Sequence, residues 1–275
     1  MSGPPPESAA DRTDAGLGPA AETVIEVRGL CTRFGRHVVH EGLDLDLRRG
    51  EILGVVGGSG TGKSVLLRAI VGLVRPAAGT IRVLGQDVGA LSGLAREALE
   101  RRWGVMFQEG ALFSALSVQE NVEVPLRAVP GLADDMRAGL AQLKLSMAGL
   151  PWNAAEKFPS ELSGGMKKRA GLARALALDP EIVFLDEPTA GLDPIGADAF
   201  DRLIVGLRDA MNLSVFLVTH DLDTLHACCD RVAVLAEKRV LATGTMAEMM
   251  DVDHPWVHEY FHGPRARAAM AAGKE

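Results

Sequence analysis

Apolar residues in this chain fall into short runs set between glycines, prolines and charges, and the spacing within each run separates strands from helices. Residues 52–56, 103–107, 182–185 and 214–218 are mostly apolar and rich in Val, Leu, Ile and Phe, which predicts strands buried on both faces of a parallel sheet. Two of these runs end in polar side chains, one in Asp186 and Glu187, the other in Thr219 and His220. Alternation of Leu43, Leu45 and Leu47 predicts a strand over 42–47, another begins over 23–28, and residues 79–85 continue the same antiparallel edge sheet. Residues 231–235 and 239–241 pair as a hairpin over a Glu237-Lys238 turn. Helical spacing places Val65, Leu66, Ala69, Ile70 and Leu73 on one face of a helix over 65–73. A second helix carries Phe200, Leu203, Ile204, Leu207 and Met211, and a third covers about 132–147. Ser117 and Glu120 form a capping box that starts a further helix, with a kink expected near Pro125. This mostly helical stretch runs from about residue 113 to the late 170s and stops at Pro180. Residues 1–21, rich in Pro, Gly, Ala and Asp without apolar period, read as a disordered tail.

With 275 residues the chain can build one large α/β domain, and no internal repeat points to a second copy. Hydrophobic residues make up 47%, yet they are dispersed, and no run of about 18 apolar residues predicts a membrane span. No cleavable signal opens the chain, which places it in the cytosol. A net charge of -7 disfavours a surface that coats nucleic acid. Cys31, Cys228 and Cys229 lack zinc-site spacing and read as reduced thiols.

Candidate chemistry begins at Gly57-Gly58-Ser59-Gly60-Thr61-Gly62-Lys63-Ser64, a Gly, four residues, then Gly-Lys-Ser between an expected strand and an expected helix. Glycines let successive backbone N–H groups converge on one anion, and the helix N-terminus adds partial positive charge. Lys63 can reach the outer phosphates of a nucleoside triphosphate, and Ser64 can ligate Mg²⁺. Asp186, at the end of a strand downstream, suits a metal ligand acting through water, with Glu187 beside it as a general base. His220, on the strand expected next to that of Asp186, is placed to meet the terminal phosphate. Phe34 taken by itself reads as a core residue rather than a stacking platform. Glu161-Leu162-Ser163-Gly164-Gly165-Met166-Lys167-Lys168-Arg169 reads as a turn opening a helix whose first turns carry three cations. Cations there oppose the helix dipole, an arrangement that makes better sense with an anion docked nearby.

Together these segments resemble the ATP-binding-cassette ATPases, over about 24–241. The resemblance implies an α/β cassette over 22–250 with a RecA-like parallel sheet core, an antiparallel β edge subdomain and a helical signature subdomain at about 113–178. Residues 251–275 follow as a C-terminal docking segment and tail. Within the family's pattern Phe34 falls at the adenine-stacking aromatic, which reverses its reading as core. Gly57 to Ser64 is the phosphate loop, and Gln108 resembles the glutamine that joins the metal site to a partner subunit. Ser163, Gly164 and Gly165 belong to the signature, Glu187 is the catalytic acid, Asp193 lies in the loop after it, and His220 is the switch histidine. ATP and Mg²⁺ are the implied cofactors, with Ser64, Gln108 and Asp186 around the metal. A second copy of the chain is the implied partner, each ATP lying between the phosphate loop of one and the signature of the other.

Met166 stands where the family usually has Gln. That departure, with Phe107-Gln108-Glu109-Gly110-Ala111-Leu112-Phe113 and the ending His254-Pro255-Trp256-Val257-His258-Glu259-Tyr260-Phe261, is similar to the ATPases of Mla-type lipid transporters. These imply phospholipid as cargo, an inner-membrane permease and an Mce-domain lipid-binding protein as partners, and a place on the cytoplasmic face of the bacterial inner membrane. Competing readings are an importer ATPase for amino acids or ions, a soluble cassette protein of DNA repair or translation, and an iron–sulfur scaffold ATPase. The soluble repair and translation proteins usually carry paired cassettes, long coiled coils or zinc insertions, which this sequence lacks. His254, His258 and His262 share a helical face and could ligate a metal, but the flanking Trp256, Val257, Tyr260 and Phe261 favour a solvated histidine stripe on a segment that docks on protein.

Overall fold

The computed structural model describes residues 22–263, and the tail expected over 1–21 and residues 264–275 lie outside the described residues. Two sheets carry the chain. The larger has six strands in the order β10-β9-β3-β8-β7-β6, from β3 (Ile52–Val56), β6 (Trp103–Met106), β7 (Ile182–Asp186), β8 (Ser214–Val218), β9 (Arg231–Ala236) and β10 (Arg239–Gly244). All neighbours are parallel except β10, which turns back on β9. β3, β7 and β8 are buried at every residue, which is why they read as apolar runs without alternation. Pairing of Val55 and Asp186 with Val218, and of Met106 with Leu185, brings the C-terminal ends of four strands to one edge.

The smaller, antiparallel sheet has the order β2-β1-β4-β5, with β1 (Thr23–Phe34), β2 (His37–Arg48), β4 (Ala78–Val83) and β5 (Gln86–Asp87). β1 and β2 extend well past the stretches expected from the sequence. Register shifts interrupt their pairing between Val27 and Leu30, where Gly29 has φ 57° and its N–H donates to Asp44 Oδ1 at 2.7 Å. Such bulges reset the alternation, so the pattern is lost halfway along a continuous strand. The core between the sheets joins Ile25, Val27, Leu43 and Leu47 to Phe184 and Phe216, whose ring centroids are 5.6 Å apart.

α1 (Lys63–Ile70) buries Leu66, Leu67, Ala69 and Ile70 in this core. Leu73, expected on the same face, is 65% exposed, because the helix ends at Ile70 and Gly72 turns the chain at φ 78°. On the other face of the large sheet, α6 (Pro194–Met211) packs Phe200, Ile204 and Leu207 against Val183, Leu185, Val215 and Leu217. α2 (Gly93–Glu100), not among the elements expected from the sequence, buries Leu99.

A separate apolar cluster forms among α3 (Val118–Leu126), α4 (Asp134–Met147) and α5 (Gly164–Ala175). Both arms of the Ser117/Glu120 capping box are made, at 2.7 and 3.2 Å. Pro125 lies in the last turn of α3, and the helix stops one residue later instead of bending there. The last elements are α7 (Leu222–Cys228), α8 (Met246–Met250) and α9 (Pro255–His262). Val257 and Phe261 of α9 are buried with Val56, Val232, Val234 and Met249 of the same chain. The three histidines are engaged by this packing: the rings of His258 and His262 stack, His262 Nε2 lies 2.9 Å from the Met250 carbonyl, and His254 pairs with Glu237.

Asp201 of α6 is only 4% exposed. Burial pushes its carboxyl up to about 7, aided by Asp198, Asp221 and Asp223 and opposed by a hydrogen bond with Thr224. The folded state therefore keeps a proton that the unfolded chain releases near 3.8, and stability falls as pH rises from about 4 through 7. Asp201→Asn is expected to raise the melting temperature at pH 8, by on the order of 3 kcal/mol of stability, with the gain fading toward pH 5. Thermal melts at the two pH values check this, and an equal shift at both would show that Asp201 does not titrate between them.

Candidate nucleotide-binding site

The loop after β3 is glycine-rich for steric reasons that the structure makes explicit. A Cβ on Gly57 would stand 2.2 Å from the Leu235 carbonyl oxygen. Gly62, the N-cap of α1, has φ 100° and packs so closely on β2 that a Cβ would lie 2.5 Å from both Val39 Cγ1 and His40 Nε2. Only glycine meets both demands. Gly58, Ser59, Gly60 and Thr61 complete the loop, with Thr61 Oγ1 donating to the Gly58 carbonyl at 2.9 Å. Lys63 Nζ donates to the carbonyls of Gly57 and Gly58 at 2.8 and 3.1 Å, so the ammonium is held over the loop. Burial lowers its pKa, while Glu187 and Asp186 pull it back up.

Ser64 Oγ donates to Asp186 Oδ1 at 3.1 Å, joining the first turn of α1 to the end of β7. Asp186 is buried, which raises its carboxyl above the usual range; Ser64 and Lys63 oppose that shift and Glu187 adds to it. A buried carboxylate and a hydroxyl in contact are hard oxygen donors, and they fit a divalent cation. Glu187 follows in the left-handed region at φ 52°. Its N–H donates to the Val218 carbonyl at 2.8 Å, and its own carbonyl accepts from Lys168 Nζ at 2.7 Å. The side chain is thereby aimed along the sheet edge, where Oε2 lies 2.8 Å from His220 Nδ1. His220 comes two residues beyond β8, and its carbonyl accepts from Tyr260 Oη of α9 at 3.0 Å. Gln108 opens a short 3-10 turn just past β6, exposed at the same edge.

Phe34 is 54% exposed at the end of β1, beside the Gly35-Arg36 turn, so its ring presents a free face. Ser163 caps α5, its Oγ accepting from the Met166 N–H, and Gly164 has open space where a Cβ would stand. Two of the three cations after it hold backbone carbonyls of the fold. Lys168 is buried against the Glu187 carbonyl, and Arg169 Nη1 donates to the Ala148 carbonyl at 2.9 Å. Asp193 caps α6, accepting from the Gly196 N–H at 2.7 Å, a role that the Asp-Pro pair spells out in the sequence. The structure therefore gathers the phosphate loop, Ser64, Asp186, Glu187, His220 and Gln108 at one sheet edge. Phe34 stands on the antiparallel sheet, while Ser163, Gly164 and Gly165 open a helix of the separate helical cluster. Tyr260, which grips the His220 backbone, carried no signal beyond its place in an aromatic-rich ending.

A phosphate loop on a parallel sheet, an acid pair ending the strand two places away and a histidine on the strand between define an ATP-binding cassette. A sequence profile described as ABC transporter matches residues 40–190, and the chain belongs to that family. It is 37% identical to the intermembrane phospholipid transport system ATP-binding protein MlaF of Haemophilus influenzae, over 88% of this chain and 91% of that protein. It is 36% identical to the probable ribonucleotide transport ATP-binding protein mkl of Mycobacterium leprae, over 88% of this chain and 69% of that one. The methionine import ATP-binding protein MetN of Caulobacter vibrioides is 42% identical, over 78% of this chain and 64% of its own length. Among solved structures, the dimeric cassette MJ0796 in a post-hydrolysis state with ADP and Pi matches with a TM-score of 0.74 and 28% identity, over 80% of this chain and 98% of that one. The chain is thus an ATP-binding transport ATPase of a fold that dimerises and works with a membrane permease. Among the described residues no helix is long and apolar enough to cross a membrane.

Proposed function

We propose that this ATPase drives phospholipid transport between bacterial membranes, working from the cytoplasmic face of the inner membrane with a permease and an Mce-domain lipid-binding protein. The observation that supports the cargo is the 37% identity to the phospholipid relative over 88% of this chain and 91% of that protein, together with Met166 in the signature where the family usually has Gln.

In the proposed reaction the adenine stacks on Phe34 and the phosphates lie along the amides of Gly57 to Ser64, with Lys63 on the outer two. Glu187 takes a proton from water as its oxygen attacks the terminal phosphorus and the bond to ADP breaks. His220 holds that carboxylate in place and faces the departing phosphate. Mg²⁺, held by Ser64 and Asp186 with Gln108 nearby, would neutralise phosphate charge. Ser163, Gly164, Gly165 and Asp193 of a second copy close the site from the other side.

Force would pass to the permease through a groove of about 460 Å³ between β6, α3 and α5. Trp103, Phe107, Phe113, Pro125, Arg174 and Leu178 line it. Phe113 is 52% exposed under the Arg174 guanidinium, and buried Asn121 pins its backbone at both N–H and carbonyl. Leu112 instead joins the helical cluster, so the apolar segment divides between core and surface. This is a shape that accepts a short helix of a partner. Phe113→Asp is expected to leave ATP binding intact while permease co-purification and lipid transfer fall at least tenfold, about 1.4 kcal/mol or more. Unchanged transfer would move the coupling surface elsewhere.

Function itself is tested with the purified complex in two vesicle populations. ATP-dependent transfer of a fluorescent phospholipid is expected. ATP-dependent methionine uptake without lipid transfer would favour the second reading, an amino-acid importer, which the 42% identity to MetN supports.

A further inference from the structure

The side chain of His220 is 68% exposed, so packing does not hold its ring. The direction of the imidazole depends on Glu187 Oε2, 2.8 Å from Nδ1, and on the backbone that carries it. That backbone lies past the end of β8, and the peptide after His220 is held at both ends by side chains. The Asp221 N–H donates to Thr219 Oγ1 at 3.0 Å, and the His220 carbonyl accepts from Tyr260 Oη at 3.0 Å. Among the described residues no backbone N–H donates to that carbonyl. Tyr260 is itself firmly seated. Val257 and Phe261 of the same helix are fully buried, Trp256 one turn earlier stacks on the Tyr260 ring with centroids 4.9 Å apart, and the Phe261 ring meets it edge-on at 5.0 Å. Burial, with Asp221 and Glu187 nearby, pushes the phenol above its usual range, so it stays a donor. Phenylalanine would keep both ring contacts, so packing alone does not call for the hydroxyl.

We propose that Tyr260 is a positioning residue for ATP hydrolysis, fixing the peptide between His220 and Asp221 so that the imidazole keeps its place beside Glu187 and the terminal phosphate. The proposal rests on the reading of Glu187 and His220 as the hydrolytic pair. At this exposed edge water can replace a lost hydroxyl, so removing it costs the fold little. What is lost is direction, because a water does not tie the peptide to a helix anchored in the core. α9, held by Val257 and Phe261, thereby lends its rigidity to His220.

Steady-state ATP hydrolysis and equilibrium ATP binding by the full-length chain test this with Tyr260→Phe, Thr219→Val, His220→Ala and the double variant of Tyr260→Phe with His220→Ala. Tyr260→Phe is expected to lower kcat about fivefold, the value of one hydrogen bond, with KM, ATP affinity and melting temperature close to wild type. Thr219→Val, which frees the other end of the same peptide, is expected to do likewise. In the His220→Ala background Tyr260→Phe is expected to cost nothing further, since no imidazole remains to be placed. A native kcat for Tyr260→Phe overturns the proposal, and so does a loss that persists in full without His220. A fall in kcat matched by weaker ATP binding or a lower melting temperature reduces Tyr260 to a packing residue and overturns it too. Where His220→Ala turns over too slowly to measure, Thr219→Val decides, and a native kcat there overturns the proposal. Glu187→Gln separates the two readings: at a near-native rate it removes the hydrolytic pair itself, and if it is slow while Tyr260→Phe is not, only the role of Tyr260 fails.

Discussion

Glu187→Gln is expected to bind ATP as wild type does and to hydrolyse it roughly 10²–10⁴-fold more slowly, about 3–5 kcal/mol of barrier. The residue is positioned by its backbone: the N–H on Val218, the carbonyl on Lys168, and a left-handed φ of 52° that only a well-determined surrounding sustains. None of these contacts involves the carboxylate, so the amide variant keeps the geometry and loses only the ability to take a proton. Its amide can still meet His220, 2.8 Å away in the native pair. Steady-state phosphate release and nucleotide binding, measured on the same preparation, check both halves. Near-native turnover by the variant would remove Glu187 from the chemistry.

Lys63→Ala should act at the earlier step. The native ammonium holds two loop carbonyls, and the negative charge of Asp186 and Glu187 helps keep it protonated despite its burial. Removing it takes away the charge-assisted contact to the outer phosphates, about 3 kcal/mol, so ATP affinity is expected to fall by roughly 10²-fold. The loop glycines remain, and the melting temperature without nucleotide is expected to shift little. An affinity within twofold of wild type would place the phosphates elsewhere.

Legibility of the chain in its sequence follows burial. β3, β7 and β8 are apolar on both faces, so they announce themselves, and the polar residues that end them fall on the edge where chemistry gathers. The antiparallel strands were traced only as far as their bulges. α2, whose single buried residue is Leu99, and the seven-residue α7 are short and bury few apolar positions, and neither is anticipated from the sequence. Buried polar residues were the least legible. Asn121, Lys168 and Asp201 look like surface residues in a sequence, and what makes them structural is a partner from another element. Lys168 shows this most clearly: its charge reads in sequence as awaiting an anion, yet it reaches from α5 to the Glu187 carbonyl just past β7.

The strand that seats the phosphate loop also sets when that loop can exist. β3 pairs only with β8 and β9, and the first of these contacts joins Ile52 to Val215, about 160 residues later in synthesis. Contacts of such separation close slowly, because the intervening chain must first be gathered. On the ribosome the loop is among the early segments to emerge and among the last to find its support. A chain cut short before Ser214 would carry the whole loop sequence with no sheet to hold it.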